Sequence, residues 1–302
     1  MIPTRILKMA ANTLKVGYVP EHFSTPLFFA RDHGFYAKNN VEIEFLPFPS
    51  GSGHLIQSLQ DKSIDVAIGL TEAFVAGVGK GFDWYKLVGT YVQSPLCWAI
   101  STGINRSDIT SEDDLEGKSI GISRIGSGSH VMSFVLATQK GWTKEFNFEI
   151  QDNFKNLRAG VNHEDGFKPT DAFMWEIFTT KKYYDNKEIK NIGRIYTPWP
   201  SWVITAGTDV IDTKKEALAN FLKSINEGIA YFNAHHDEAV EHISTNLDYS
   251  AEDARAWLKT VTFVDDVTKV DPAVVQKTVS ILKSAGVLTE AADSKKYVVS
   301  VV

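Results

Sequence analysis

Residues 123–130 read Ser123-Arg124-Ile125-Gly126-Ser127-Gly128-Ser129-His130, and the residues on either side of them decide how this chain is built. Before them, Lys118-Ser119-Ile120-Gly121-Ile122 is a short apolar run of strand character. After them, Val131, Phe134, Val135 and Thr138 recur at helical spacing, and Gly141 is placed to end that helix. The stretch is therefore a Gly/Ser loop between a strand and a helix start. The first N–H groups of a helix have no intrahelical partner. Gly126 and Gly128 let the backbone approach a ligand, Ser127 and Ser129 add hydroxyls, and Arg124 and His130 can add charge. Such a loop suits an anionic or strongly accepting group. A purely structural role, with Ser127 or Ser129 capping the helix, stays open beside it. The stretch is not a Walker loop, because Glu112 stands where the first glycine should be. It matches neither the dinucleotide fingerprint nor a nucleophile elbow.

Working outward toward the N-terminus, Leu14 to Val19 reads as a strand and Leu27 to His33 as a short helix stopped by Gly34. Val41 to Phe48 is a second strand, followed by a Gly/Ser loop at residues 49–54 and a helix carrying Leu55, Ile56 and Leu59. Ile64 to Leu70 is a nearly unbroken apolar strand, as a buried parallel strand would be, and it runs into Thr71-Glu72. This is β-α-β-α-β, the unit of an open α/β sheet, with polar loops at three strand ends on one edge.

Toward the C-terminus, Leu87 to Ile100 reads as two strand pieces bent at Ser94-Pro95, and residues 108–115 as a polar helix. A strand ends at Ile150, a helix runs from Asn153 to Val161, and a strand runs from Thr170 to Trp175 and into Glu176. Lys181 to Lys190 reads as a charged, solvated connection. Ile192 to Tyr196 and Val203 to Ala206 are strands on either side of a segment that alternates prolines with Trp199 and Trp202. Beyond it, Leu218, Phe221, Leu222, Ile225, Ile229 and Phe232 form one helical stripe, and shorter helices follow. Asp271-Pro272 starts the last of these and Gly286 ends it. The pattern predicts an α/β fold of two lobes, each an open sheet flanked by helices. Residues 1–95 and 204–302 form the first lobe, with a helical C-terminal tail, and residues 96–203 the second. The crossings fall near 92–101 and 197–206.

The 302 residues are 43% hydrophobic and 23% charged, as in globular proteins. Their 31 basic and 37 acidic side chains give a net charge of −6 with no basic block, which argues against nucleic acid as a partner. Cys97 is the sole cysteine, so a disulfide framework and a cysteine metal cluster are excluded. It reads as a small buried hydrophobe. His235, His236 and His242 show no metal-ligand pattern and read as solvated; no metal is expected. Ser129 and His130, being adjacent at a helix start, point apart, so no catalytic pair is assigned. No stretch approaches the ~18 apolar residues of a membrane span, and the first residues lack the apolar core of a signal peptide, so a cytoplasmic location is expected.

In order and spacing, "VGYVP", "GFYAKNNVEIEF", "GSG", "DVAIGLTEA", "EGKSIGISRIGSGSH" and "AFMWE" together resemble the type II periplasmic-binding-protein fold. Within that fold the sequence is most similar to the group of aliphatic-sulfonate- and taurine-binding proteins, pyrimidine-precursor-binding proteins and fungal thiamine-pyrimidine synthases. The resemblance implies two lobes that close by hinge rotation on a ligand held at strand-end loops. Carried over position by position, it points to His22, Phe23, Ser24 and Thr25, to Gly51, Ser52 and Gly53, and to Thr71 and Glu72. In the second lobe it points to Arg124, Ser127, Gly128, Ser129 and His130, then to Trp175 and Glu176. Trp199 adds an aromatic face for a planar ligand.

The expected function is solute binding without catalysis: a thiamine-type pyrimidine precursor, or a small anion such as a phosphate ester or sulfonate, held in an inter-lobe cleft. No cofactor is expected. The alternative is an enzyme of thiamine-pyrimidine or vitamin B6-related biosynthesis using pyridoxal phosphate. The synthases' cysteine-rich iron-binding motif is absent here, and no lysine lies in the flagged loops. A ligand sensor that docks on a protein partner is a third reading, its partner unknown.

Overall fold

The computed structural model describes residues 12–290 and 296–302. The N-terminal stretch read above for a leader lies mostly outside them. By internal contacts the described chain forms two units: residues 12–94, 199–279 and 296–302 in the first, 95–198 and 280–290 in the second. The boundaries expected from sequence were 1–95 with 204–302, and 96–203.

The chain opens with β1 (Thr13–Tyr18), a 3-10 turn at His22–Ser24, α1 (Thr25–Asp32), α2 (Phe35–Lys38), β2 (Glu42–Pro47) and α3 (Ser52–Gln60). It continues through β3 (Val66–Leu70), α4 (Thr71–Gly79) and β4 (Tyr85–Val92). The second unit then supplies β5 (Cys97–Gly103), a 3-10 turn at Glu112–Leu115, β6 (Ser119–Ile122), α5 (Gly128–Lys140) and β7 (Asn147–Ile150). It ends with α6 (Phe154–Val161), β8 (Ala172–Glu176), α7 (Ile177–Asp185) and β9 (Ile189–Tyr196). The chain returns through β10 (Trp202–Gly207), α8 (Thr208–Thr213), α9 (Lys215–Ala234), α10 (His236–Asn246), α11 (Ala251–Leu258) and α12 (Pro272–Ser284).

In the first unit the strand order is β2-β1-β3-β10-β4. β1 is parallel to β2 and β3, whereas β10 is antiparallel to both β3 and β4. The β2 edge carries Glu42 and Glu44, charges that discourage pairing with another chain. The β4 edge is covered instead: Leu87 N–H donates to Tyr297 O, Val299 N–H to Leu87 O and Thr90 N–H to Lys269 O. Gly17 allows α3 to lie close on β1, since a Cβ there would sit 2.6 Å from Leu55 and 2.7 Å from Ile64. The stripe read along α9 is the buried one: Leu218, Phe221, Leu222, Ile225, Ile229 and Phe232.

In the second unit the order is β7-β6-β8-β5-β9, with β6 parallel to its neighbours and β5 antiparallel to β8 and β9. The two sheets thus repeat one topology, although the sequence shows no internal repeat. Leu157, Val161, Phe173 and Ile189 form a core cluster, joined by Phe154, Trp175, Tyr183 and Tyr184. Where α6 ends beside β5, a Cβ on Gly103 would stand 2.2 Å from the Val161 carbonyl oxygen. Gly103→Ala should therefore cost about 1–3 kcal/mol by forcing backbone apart, read as a lower urea midpoint. An unchanged midpoint would show that α6 gives way freely.

Three sequence expectations are corrected here. Lys181 to Lys190 is not a solvated connection: α7 runs to Asp185 and β9 begins at Ile189. Its lysines had hidden the face that Thr180, Tyr183 and Tyr184 turn inward. His242 is not simply solvated either, since its ring lies 5.7 Å from that of Phe28 and 5.8 Å from that of Phe29. Burial accordingly holds its pKa below the ordinary histidine value. The helix expected over 108–115 shrinks to the turn at 112–115, where Asp114 accepts from the N–H groups of Thr110 and Ser111.

Candidate functional site

In the second unit, β6, β7, β8 and β9 end, and β5 begins, on one edge of the sheet. The register fixes this, because Ile122 pairs with Ile150, Trp98 with Glu176 and Cys97 with Tyr196. The 123–130 loop stands on that edge. Ser127 caps α5, its Oγ accepting from His130 N–H at 3.4 Å, and its hydroxyl lies 3.0 Å from that of Ser129. Gly126, at φ +80°, donates its N–H to His130 Nδ1 at 3.2 Å. His130 is thereby held in the loop and against Phe134 and Phe148, its ring 5.1 and 4.6 Å from theirs. The capping role is real, and it leaves Arg124 to be accounted for.

Arg124 is half-buried. Burial pulls its pKa down, and among the described residues no carboxylate pulls it back. A guanidinium keeps its charge in proteins, so this one is a positive charge held partly out of water with no carboxylate beside it among the described residues. On the same edge, Glu176 closes β8 and caps α7, its Oε2 accepting from Thr179 N–H at 2.7 Å. Burial raises its carboxyl to about 7 against those backbone N–H bonds. Trp175 stacks on Phe154, with centroids 4.8 Å apart, so one face of its ring is taken by packing.

In the first unit the corresponding edge gathers the ends of β1 to β4 and the start of β10, with Trp202 opposite both Leu70 and Val92. His22, Phe23, Ser24 and Thr25 form the turn after β1 and enter α1; all four are buried. Ser24 Oγ donates to Val19 O at 2.6 Å, Thr25 Oγ1 to His22 O at 2.8 Å, and Tyr91 OH to Phe23 O at 2.8 Å. The His22 ring sits among those of Phe23, Tyr249 and Trp257, at 4.6, 4.4 and 4.4 Å, and burial drives its pKa well below the usual range. Gly51 takes φ +76° before α3, Ser52 Oγ accepts from Leu70 N–H at 2.9 Å, and Gly53 follows inside the helix. Thr71 is fixed to the returning chain by its Oγ1 on Pro200 O at 2.6 Å and its N–H on Ser201 O at 3.0 Å.

Beside Thr71, Glu72 is fully buried. Trp199 Nε1–H donates to its Oε2 at 2.9 Å, while Oε1 is buried with no hydrogen-bond partner. Burial pushes this carboxyl up to about 7, against the lowering by its own backbone N–H and by Trp199.

Two further groups stand at these edges, one on Trp98, which the sequence reading passed over, and one on Trp202, which it read only for an aromatic face. The indole N–H groups of Trp98 and Trp202 are buried without an acceptor. They hold matching positions: Trp202 opens β10 and Trp98 is the second residue of β5, each opposite the residue that ends the neighbouring strand and precedes a helix, Leu70 or Glu176. "CWAI" and "SWVI" carry the signal, a Trp at a strand start, once the shared topology is known. Buried donors without acceptors are rare. Among the described residues no three His, Cys, Asp or Glu side chains are placed to hold a metal, and no helix is long and apolar enough to cross a membrane.

Comparison with known proteins accords with this architecture. Residues 98–195 match the family model described as Ca3427-like PBP. The chain is 52% identical to the Candida albicans CA3427 gene product, over 95% of this chain and 96% of that one, with a TM-score of 0.91. That protein is described as defining a new family with the generic periplasmic binding protein fold. The alkanesulfonate-binding protein SsuA of Xanthomonas axonopodis pv. citri, bound to MOPS, is similar at 13% identity and TM-score 0.76, over 95% and 98% of the two chains. The nitrate-binding protein NrtA of Synechocystis is similar at 16% identity and TM-score 0.73, over 95% and 86%. No curated protein matches the chain by sequence. The chain belongs to the Ca3427-like family of proteins with the periplasmic-binding-protein fold.

Proposed function

We propose that this protein binds a small solute carrying an anionic group, which the 123–130 loop receives. The carrying observation is Arg124, half-buried in the loop that leads into α5, with no carboxylate partner among the described residues. The α5 N-terminus strengthens the reading, because its backbone N–H groups and dipole favour the same charge. The distant likeness to proteins described as binding alkanesulfonate and nitrate agrees with it. A sulfonate, a phosphate ester and a phosphorylated thiamine-type pyrimidine all meet the requirement.

Calorimetric titration with propanesulfonate, ethyl phosphate and nitrate separates these classes. At least one should bind, and Arg124→Gln should weaken it about 10- to 150-fold, the worth of a charge-assisted hydrogen bond. The variant should keep the wild-type melting temperature or exceed it, because it removes a charge buried without a partner. If none of the three binds, or if the variant binds them all as well as wild type, the anion reading falls.

A further inference from the structure

The N–H that Gly126 donates to His130 Nδ1 fixes the state of that imidazole. A backbone N–H can only donate, so Nδ1 carries no proton and, in the neutral ring, Nε2 carries it. His130 therefore enters the loop as an acceptor, and in this state it does not bring the charge that the sequence allowed. The bond matters because of where Gly126 stands. Ser127 N–H donates to Arg124 O at 3.1 Å and closes a four-residue turn; Gly126, third in that turn, takes φ +80°, while Ile125 keeps a negative φ. That is a type II turn. It differs from the commoner type I by the orientation of one peptide, Ile125–Gly126, and the N–H held by His130 belongs to that peptide. Arg124 is the first residue of the turn, so one hydrogen bond sets the backbone that carries the half-buried guanidinium.

Resting on the anion-binding reading, we infer that His130 is the positioning residue of the 123–130 loop: its neutral ring holds the turn in the binding shape, and its protonation lets that shape go. An imidazolium has a proton on both nitrogens, so neither the ring as it stands nor the ring flipped over can accept from Gly126. The Ile125–Gly126 peptide is then free to turn, and Arg124 loses its set position. The elements around His130 add few charges. α5 and β7 present the rings of Phe134 and Phe148, and β6 holds Ser119 to Ile122, none of them titratable. Glu149, next on β7, lies on the other face of the sheet and pairs with Lys168 at 3.0 Å. The loop's own charge is Arg124. β8, also packed against α5, ends in Glu176, whose carboxyl burial raises to about 7. The two ordinary effects of acid, a cation at His130 and an uncharged Glu176, would both tighten the hold on an anion. The turn gives the opposite sign: the solute is released as pH falls.

The test is calorimetric titration of the whole protein with propanesulfonate, nitrate and ethyl phosphate at about pH 8 and about pH 5, which brackets the histidine range. Wild type should bind about three- to tenfold more weakly at the lower pH, the worth of one hydrogen bond lost. Propanesulfonate and nitrate keep a single charge throughout. For ethyl phosphate, which itself gains a proton, the wild-type ratio is read against that of His130→Asn. His130→Leu fills the space against Phe134 and Phe148 without an acceptor, so it should bind weakly at both pH values. His130→Asn offers its side-chain oxygen where Nδ1 stands and cannot titrate. It should bind more tightly than His130→Leu, and equally at both pH values. Equal or tighter binding by wild type at the lower pH overturns the role of His130 and leaves the anion reading intact. So does His130→Leu matching wild type at the higher pH, or pH dependence that persists in His130→Asn. If none of the three probes binds at the higher pH, both readings fall. Melting curves within a few degrees of wild type show that folded variants are compared, and the wild-type ratio stands on its own should either variant fail to fold.

Discussion

Trp257→Ala should destabilise the first unit by about 3–5 kcal/mol, the cost of emptying an aromatic side chain from a well-packed core. Trp257 lies on α11 and is 1% exposed. Its ring faces those of His22, Phe23, Phe232 and Phe263, with centroids 4.4 to 6.4 Å away. Its indole N–H makes no hydrogen bond, so the loss is one of packing alone. A sharper comparison follows. Trp257→Phe removes the unsatisfied N–H and keeps much of the ring, so it should stay within about 1 kcal/mol of wild type. Urea unfolding followed by circular dichroism measures both. If the alanine variant loses less than about 1 kcal/mol, α11 is not the wall that seats the His22–Ser24 turn.

Asp171→Ala should be nearly as damaging, in the second unit, by about 3 kcal/mol. Asp171 Oδ1 accepts from Arg106 Nη2 at 2.6 Å, while Oδ2 accepts from both the N–H and Oγ of Ser119, at 2.8 and 2.9 Å. Its own N–H returns to Ser119 Oγ at 3.0 Å, and its carbonyl accepts from Thr102 Oγ1 at 2.7 Å. One side chain thus links the loop after β5 to the start of β6, at the end of the sheet away from the 123–130 loop. Burial alone would raise its pKa, but the Ser119 and Arg106 bonds outweigh burial and hold it below the ordinary value. The sign follows. The stabilisation is complete above the unfolded aspartate value of about 3.9, and it drains away as pH falls through the lower folded value. Asp171→Ala should therefore lose stability at neutral pH and show a flatter acid limb. An unchanged acid limb would mean that other carboxylates govern acid unfolding.

Much of this architecture could be read from the chain because apolar spacing is a local signal. The α9 stripe, the strand running into Thr71-Glu72 and the 123–130 loop all announce themselves within a few residues. Other features could not be read locally. α7 escaped because Tyr183 and Tyr184 bury rings while looking polar beside Lys181 and Lys182. The repeated topology of the two sheets escaped because strand order depends on long-range pairing, which leaves no period in the sequence. Of the flagged site residues, the structure gives Ser52, Thr71 and Ser127 definite hydrogen-bonding duties within the fold, and it sets His22 among aromatic rings. Arg124 and Glu72 are the ones it leaves chemically incomplete, a distinction that depends on burial and partners.

The position of β10 has a consequence for how the molecule is made. β10 lies inside the first unit's sheet, flanked by β3 and β4, yet it is synthesised only after all of β5 to β9. As the chain leaves the ribosome, the facing edges of β3 and β4 stay without a strand until about residue 207 has emerged. The second unit's sheet, by contrast, is complete in sequence by Tyr196. The second unit's sheet is thus available to pair before the first unit's can close, and until then the facing edges of β3 and β4 are open to mispairing.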